Sequence, residues 1–232
     1  MIQLRKSHAR GNSQNSWLTS FHTFSFAEYY DLNFMGFNQL RVINEDTVQP
    51  SYGFGAHPHR DMEIISYVIS GSLAHKDSMG TGSVIKPDEI QIMSAGTGVE
   101  HSEYNNSDTE VLHFLQIWII PEKKGLTPRY QQKAIHKIPN QFVLIGSHDA
   151  DENAVVINQD VKLYAAYPEQ GHSLDYTLKP NRQAWLQLIK GEIKLNNQLL
   201  TAGDGAAIQL EKVNIESVTD SEFLFFDLAS NT

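Results

Sequence analysis

The stretch Gly55–Gly71, GAHPHRDMEIISYVISG, constrains this 232-residue chain more than any other. Its apolar run Ile64-Ile65-Ser66-Tyr67-Val68-Ile69 stops at Ser70-Gly71, a turn signal, and reads as a buried β-strand. Just ahead of it stand His57 and His59, and side chains two apart on a strand share a face. Pro58 between them sets this backbone at a strand entrance or sheet edge rather than in a central ladder. Forty-two residues after His59 comes His101-Ser102-Glu103, a second pair of the same parity, preceded by the turn-rich loop Ser94-Ala95-Gly96-Thr97-Gly98. Together the two pairs offer three imidazoles, one carboxylate and no thiolate. That donor set suits Fe, Mn, Ni, Cu or Zn better than Ca or Mg. Four protein ligands on an octahedral ion leave two positions open, as chemistry at a metal requires.

The second half repeats this grammar. Trp185-Leu186-Gln187-Leu188-Ile189-Lys190-Gly191 has the form of Ile64–Gly71, and Leu200–Ile208, rich in Ala and Gly, has the form of Pro87–Met93. An internal repeat of this kind implies two stacked β-sandwich or barrel domains, and hence an all-β fold. Residues 121–137, PEKKGLTPRYQQKAIHK, are polar, basic and broken by Pro121, Gly125 and Pro128. We therefore expect a metal-binding domain over 1–121, a linker over 122–137 and a second domain over 138–232. The second copy lacks the ligand pairs: His172-Ser173-Leu174-Asp175 and Val213-Asn214-Ile215-Glu216 stand where they would lie. One metal, in the first domain, is the expectation.

The remaining segments fit a β protein. Residues 2–6, Leu40–Val48, 84–93, 110–120 and Glu222–Asp227 read as strands, and residues 10–16 as loop. The aromatics Trp17, Phe21, Phe24 and Phe26 read as core or a lid under a loop, and His113 as a core histidine. There is no cysteine, hence no disulfide framework, thiolate site or thiol nucleophile, which suits a reducing cytoplasm. The amino terminus has no apolar core of signal-peptide length, and no apolar run approaches 18 residues, so neither export nor a membrane span is expected. A net charge of −9 argues against direct binding to nucleic acid.

Several of these residues also carry a family resemblance. His57, His59 and Glu63 with Gly71 resemble the first cupin motif. Pro87-Asp88-Glu89, Ala95-Gly96-Thr97-Gly98 and His101 resemble the second. Within the cupins, HPHRDMEIISYVISG and MSAGTGVEHSE resemble the pirin family and its bacterial quercetinase-like members. Phe24-Ser25-Phe26 with Tyr29 and Asp31, and Arg41–Asp46, are similar to the pirin amino-terminal pattern. The resemblance implies a bicupin, two stacked β-barrel or jelly-roll domains with the second barrel emptied of metal. It implies a metal-dependent dioxygenase resembling quercetin 2,3-dioxygenase, which cleaves the central flavonol ring with O2 and releases carbon monoxide. One divalent ion, Fe(II) ahead of Mn, Ni, Cu and Zn, would be held by His57, His59, His101 and Glu103. Glu103 would also be the catalytic base that takes the 3-hydroxyl proton. The alternative is a pirin-type regulatory protein that binds a transcription factor or metabolic enzyme in a metal-dependent way. A third reading is a cupin isomerase or sugar-binding protein.

Glu63 competes with Glu103 for the ion, since it occupies the ligand position of the general cupin motif. A strand rises about 3.3 Å per residue, which puts Glu63 roughly 13 Å from His59 and Glu103 only about 6.6 Å from His101. Glu103 is therefore assigned to the metal and Glu63 to a supporting bond.

Overall fold

A computed structural model describes residues 1–149 and 151–230. Among the described residues, every regular element apart from one short 3-10 turn at Ser7–Ala9 is a β-strand, and the named pairings are antiparallel. No helix among the described residues is long and apolar enough to cross a membrane. The chain divides into two compact units, each built on one larger and one four-stranded sheet.

The first unit covers residues 11–135 and 149–159. Its seven-stranded sheet runs Arg129–Ala134, Glu89–Ser94, Glu63–Ser70, Leu112–Ile119, Leu40–Val48, Leu18–His22 and Gly11–Gln14. Its four-stranded sheet runs Gly53–His59, Val99–Asn105, Leu73–Asp77 and Gly82–Ile85. Glu63–Ser70 is a central strand buried along most of its length, so its apolar run is nearly continuous. Val99–Asn105 alternates instead: Val99, His101, Glu103 and Asn105 are buried while Glu100 and Tyr104 are exposed. Period-2 alternation is what a strand with one packed and one solvated face shows, and it turns His101 and Glu103 inward together. Val48, Val68, Leu112 and Phe114 from the large sheet pack with Leu73 and Ile85 from the small one, closing one end of the sandwich.

The second unit covers residues 1–10, 136–148 and 160–232. Its larger sheet contains Ile2–Arg5, Gly205–Ile208, Arg182–Lys190, Glu222–Ala229, Val161–Ala166 and Phe142–Ser147 in that order. Its smaller sheet runs Ser173–Thr177, Lys212–Ser217, Glu192–Leu195 and Gln198–Thr201. The repeat seen in the sequence extends to its turns. Gly71 (φ +79°) and Gly191 (φ +85°) each follow the long central strand of their unit. A Cβ on Gly71 would lie 2.7 Å from the Val111 carbonyl oxygen, and one on Gly191 2.5 Å from that of Asp220. Positive φ and backbone crowding together require glycine at both places.

The expected domain limits differ from these units in three ways. Residues 1–10 belong to the second unit, because Ile2–Arg5 pairs with Gly205–Ile208 and Lys6 lies 2.8 Å from Asp204. Residues 149–159 return to the first unit. The stretch read as a linker contains the strand Arg129–Ala134, paired with Glu89–Ser94. That strand, RYQQKA, is an edge strand with no fully buried residue, so it carries no apolar signal. Gly11–Gln14, read as loop, is likewise a mostly exposed edge strand.

Candidate metal centre

The two histidine-bearing strands are direct neighbours. Gly53–His59 pairs antiparallel with Val99–Asn105, with His57 opposite His101 and His59 opposite Val99. A bulge follows, so that Glu103 faces Phe54 rather than Gly55. The three imidazole rings meet as a triangle, with centroids 4.5 Å apart for His57 and His101, 4.8 Å for His57 and His59, and 4.9 Å for His59 and His101. Their ligating atoms lie within 4.8 Å of one another, and the same holds for His75, His101 and Glu103. These are the groups of three or more candidate ligands among the described residues, and they share His101.

Each side chain is held by identifiable bonds. His57 Nδ1 is 2.7 Å from the Gly55 carbonyl oxygen, so that nitrogen carries the hydrogen and Nε2 keeps a lone pair. Glu103 is buried, and its oxygens accept separate bonds from Ser66 Oγ at 3.1 Å and Gln116 Nε2 at 2.5 Å. Ser66 and Gln116 are opposite one another on adjacent strands of the large sheet. Sequence reasoning missed both. Their signal was a polar residue inside each apolar run, Ser66 within IISYVI and Gln116 within FLQIWI. His101 Nε2 is buried and has no hydrogen-bond partner.

Burial governs the protonation of the cluster. It pushes His101 down to about 2, with His57, His59 and His75 adding to the effect, and His59 down to about 4 with help from His57. His75 is lowered by burial, against the pull of Asp77. Neutral imidazoles are the form that binds a metal. Burial pushes Glu103 up to about 7, although Ser66 and Gln116 favour its charged form. The His57, His59 and His101 group fits a divalent ion, with three converging imidazoles and a buried nitrogen with nothing to bind, while Glu103 falls in the second group, within 4.8 Å of His101.

A cavity of about 320 Å³ opens beside these groups, and His57, His59, Glu103 and Gln116 line it. Phe26, Phe54 and Trp118 supply apolar walls, while Ser20, His22, Asn44 and Asp46 supply a polar one. Phe26, expected in the core or in a lid, lines the cavity and packs edge-on against Trp118, while Trp17 packs edge-on against Phe54. Apolar walls with a few placed polar groups are usual for small-molecule sites.

The other singled-out residues lie elsewhere. Glu63 is buried but belongs to neither group; it accepts bonds from Ser94 Oγ (2.9 Å) and from the Asn158 backbone N–H (3.1 Å) and side-chain amide (3.2 Å). It ties residues 149–159 to the first unit. His113 pairs with Glu45 at 3.0 Å. His75 and Asp77, whose i, i+2 spacing has the same parity as the ligand pairs, were passed over in the sequence.

In the second unit the corresponding inward positions carry Leu174, Tyr176, Val213 and Ile215. All four pack into an apolar cluster with Phe142, Tyr164, Phe223 and Phe225.

Comparison with known proteins agrees with this architecture. Residues 3–119 match the Pirin family, and residues 144–228 match the quercetinase C-terminal cupin domain. The chain is 46% identical to the quercetin 2,3-dioxygenase of Escherichia coli strain K12, over 98% of this chain and 99% of that one. It is 36% identical to a pirin-like protein of Caulobacter vibrioides, over 99% of this chain and all of the relative. The crystal structure of the bacterial pirin YhhW from Escherichia coli in complex with nickel(II) superposes with a TM-score of 0.95 at 44% identity, covering 99% of this chain and 100% of that one. With both of its barrels matched and 98–99% of its length aligned to these relatives, this chain is a bicupin that belongs to the pirin family.

Proposed function

We propose that this chain is a metal-dependent dioxygenase that cleaves a flavonol-like substrate with O2, with His57, His59, His101 and Glu103 holding one divalent ion, Fe(II) foremost. The observation that carries this is the buried, unpartnered Nε2 of His101, set among two further imidazoles and a carboxyl beside an aromatic-walled cavity. When bound, the ion supplies open coordination positions for a substrate oxygen and for O2. Phe26, Phe54 and Trp118 match the flat faces of a flavonol and exclude water from it. Glu103, which lines the cavity, takes the substrate's hydroxyl proton as general base. Ser66 and Gln116 hold that carboxyl in place while its charge changes. The name of the Escherichia coli relative supports the flavonol as substrate class.

The test is O2 uptake and carbon monoxide release by protein loaded anaerobically with Fe(II), Mn(II) or Ni(II) and given quercetin. Turnover that disappears in Glu103→Gln is expected. Full loading with no O2 uptake on any flavonol would overturn the enzymatic reading and leave the metal-dependent regulatory one.

A further inference from the structure

The two candidate ligand groups share His101, and a chain of hydrogen bonds decides which nitrogen of that ring is free. His75 Nε2 lies 3.1 Å from Asp77 Oδ2, and His75 Nδ1 lies 3.5 Å from His101 Nδ1. A carboxylate only accepts, so the hydrogen is on His75 Nε2. In a neutral imidazole the other nitrogen then offers only a lone pair. His75 Nδ1 is therefore an acceptor, and the atom facing it, His101 Nδ1, must be the donor. That leaves His101 Nε2 as a bare lone pair, and Nε2 is the buried atom with no partner in the protein. An ion seated between the two Nδ1 atoms would instead leave a buried N–H at His101 Nε2 with nothing to receive it.

We propose that Asp77 and His75 are positioning residues that lock His101 in its Nδ1–H tautomer and aim the Nε2 lone pair at the metal position, and that His75 is not a ligand. This rests on the metal reading of His57, His59 and His101 given above. The relay is built into the strand pair Leu73–Asp77 and Val99–Asn105, where Asp77 is opposite His101 and His75 opposite Glu103. Asp77 is anchored in turn: its Oδ1 accepts the backbone N–H of Met79 at 2.9 Å and of Thr81 at 3.0 Å. One carboxyl oxygen caps the loop and the other orients the histidine. Partners of this kind, behind a ligating imidazole, set its tautomer and its basicity.

The anchoring makes Asp77→Asn a sharp probe. Asparagine keeps a carbonyl oxygen for Met79 and Thr81 and must then turn its NH2 group toward His75 Nε2. His75 Nε2 becomes the acceptor, its hydrogen moves to Nδ1, and His101 is forced to carry its hydrogen on Nε2, where an ion would bind. The tautomers can be read in metal-free, 15N-labelled protein by long-range 1H–15N correlation of the imidazoles. The expected result is Nδ1–H at His101 in the wild type and Nε2–H in Asp77→Asn. Ni(II) affinity, measured by competition with a chromophoric chelator, should fall by roughly 10–100-fold in that variant. His75→Gln can still donate to Asp77 and accept from His101, so it should bind Ni(II) within a few-fold of the wild type. His75→Leu, which cannot accept, should lose roughly 10-fold. If Asp77→Asn does not fold, the wild-type tautomer and the two His75 variants decide alone. The proposal fails if wild-type His101 carries its hydrogen on Nε2, or if His75→Gln loses as much Ni(II) as His57→Ala. Because the tautomer is read without metal, its outcome is separate from whether the wild type binds an ion.

Discussion

The two barrels of this chain share a strand plan and differ in what fills them. In the first, inward positions on Gly53–His59 and Val99–Asn105 carry His57, His59, His101 and Glu103. In the second, the matching strands Ser173–Thr177 and Lys212–Ser217 carry Leu174, Tyr176, Val213 and Ile215, packed against Phe142 and Phe225. The second barrel spends its interior on apolar burial, the main stabilising force in folding. The first gives up part of that stabilisation to keep polar atoms under cover: Asp46 Oδ1, Gln91 Oε1, His101 Nε2 and Trp118 Nε1 are all buried without a partner. None of these atoms lies in the second unit, where the buried carboxylate Asp227 is bonded by Arg182 and Tyr176. Unsatisfied buried polar groups cost free energy, and they concentrate where a site needs them for a ligand.

The largest expected effect follows from replacing both His57 and His101 by Ala. The double variant should lose its metal, read by elemental analysis after anaerobic loading, while its fold, read by circular dichroism, is kept. Undiminished metal content would place the site elsewhere and remove the functional half of the contrast. Next comes Phe225→Ala in the second barrel. It deletes a fully buried ring that packs on Phe142 and Tyr176, and should cost about 3–5 kcal/mol in a denaturant titration with metal content per folded protein unchanged. A loss of metal at equal folded fraction would show that the second barrel is more than a packed core.

The polar interior of the first barrel should also make its stability depend on pH. Burial pushes the Asp46 carboxyl up to about 7, above its ordinary 3.8. The folded protein therefore holds a proton that the unfolded chain has already released. The Asp46 contribution to stability should fall as pH rises from about 4 to about 7, by at most about 1.4 kcal/mol per pH unit. His59, His75 and His101 contribute in the opposite direction, since their lowered values make stability rise with pH over that range. In metal-free protein Asp46→Asn should remove the Asp46 contribution, so that urea midpoints rise more steeply (or fall less) with pH than in the wild type; an identical pH dependence would exclude a contribution from Asp46. The smallest effect is expected for Glu63→Gln. Its amide would meet the donors Ser94 and Asn158 and cost about 1–3 kcal/mol of stability. Metal content should stay at the wild-type level; if Glu63→Gln strips the ion while Glu103→Gln keeps both ion and activity, the two carboxyls exchange roles.

Much of this was legible in the chain itself. Strand parity pairs His57 with His59 and His101 with Glu103, because the period of two is local geometry and needs no tertiary contact. The Gly71 and Gly191 turns and the apolar runs before them show the repeat, because a turn with positive φ and a buried strand each leave a local composition. The apolar filling of the second barrel was readable from Leu174, Val213 and Ile215 for the same reason. Other features were decided only when distant strands met. The neighbours of Glu103, Ser66 and Gln116, lie 37 and 13 residues away in sequence, and a lone Ser or Gln in an apolar strand does not say which carboxyl it serves. The chain exchange that carries residues 1–10 into the second unit and 149–159 into the first rests on edge pairing and on the Glu63–Asn158 bonds. Edge strands such as Arg129–Ala134 are held by backbone hydrogen bonds rather than by apolar side chains, so they leave little trace in composition. His75 shows the limit most clearly. Its spacing to Asp77 was visible, but its place behind His101 depends on which strand lies beside which, and that is a property of the assembled sheet.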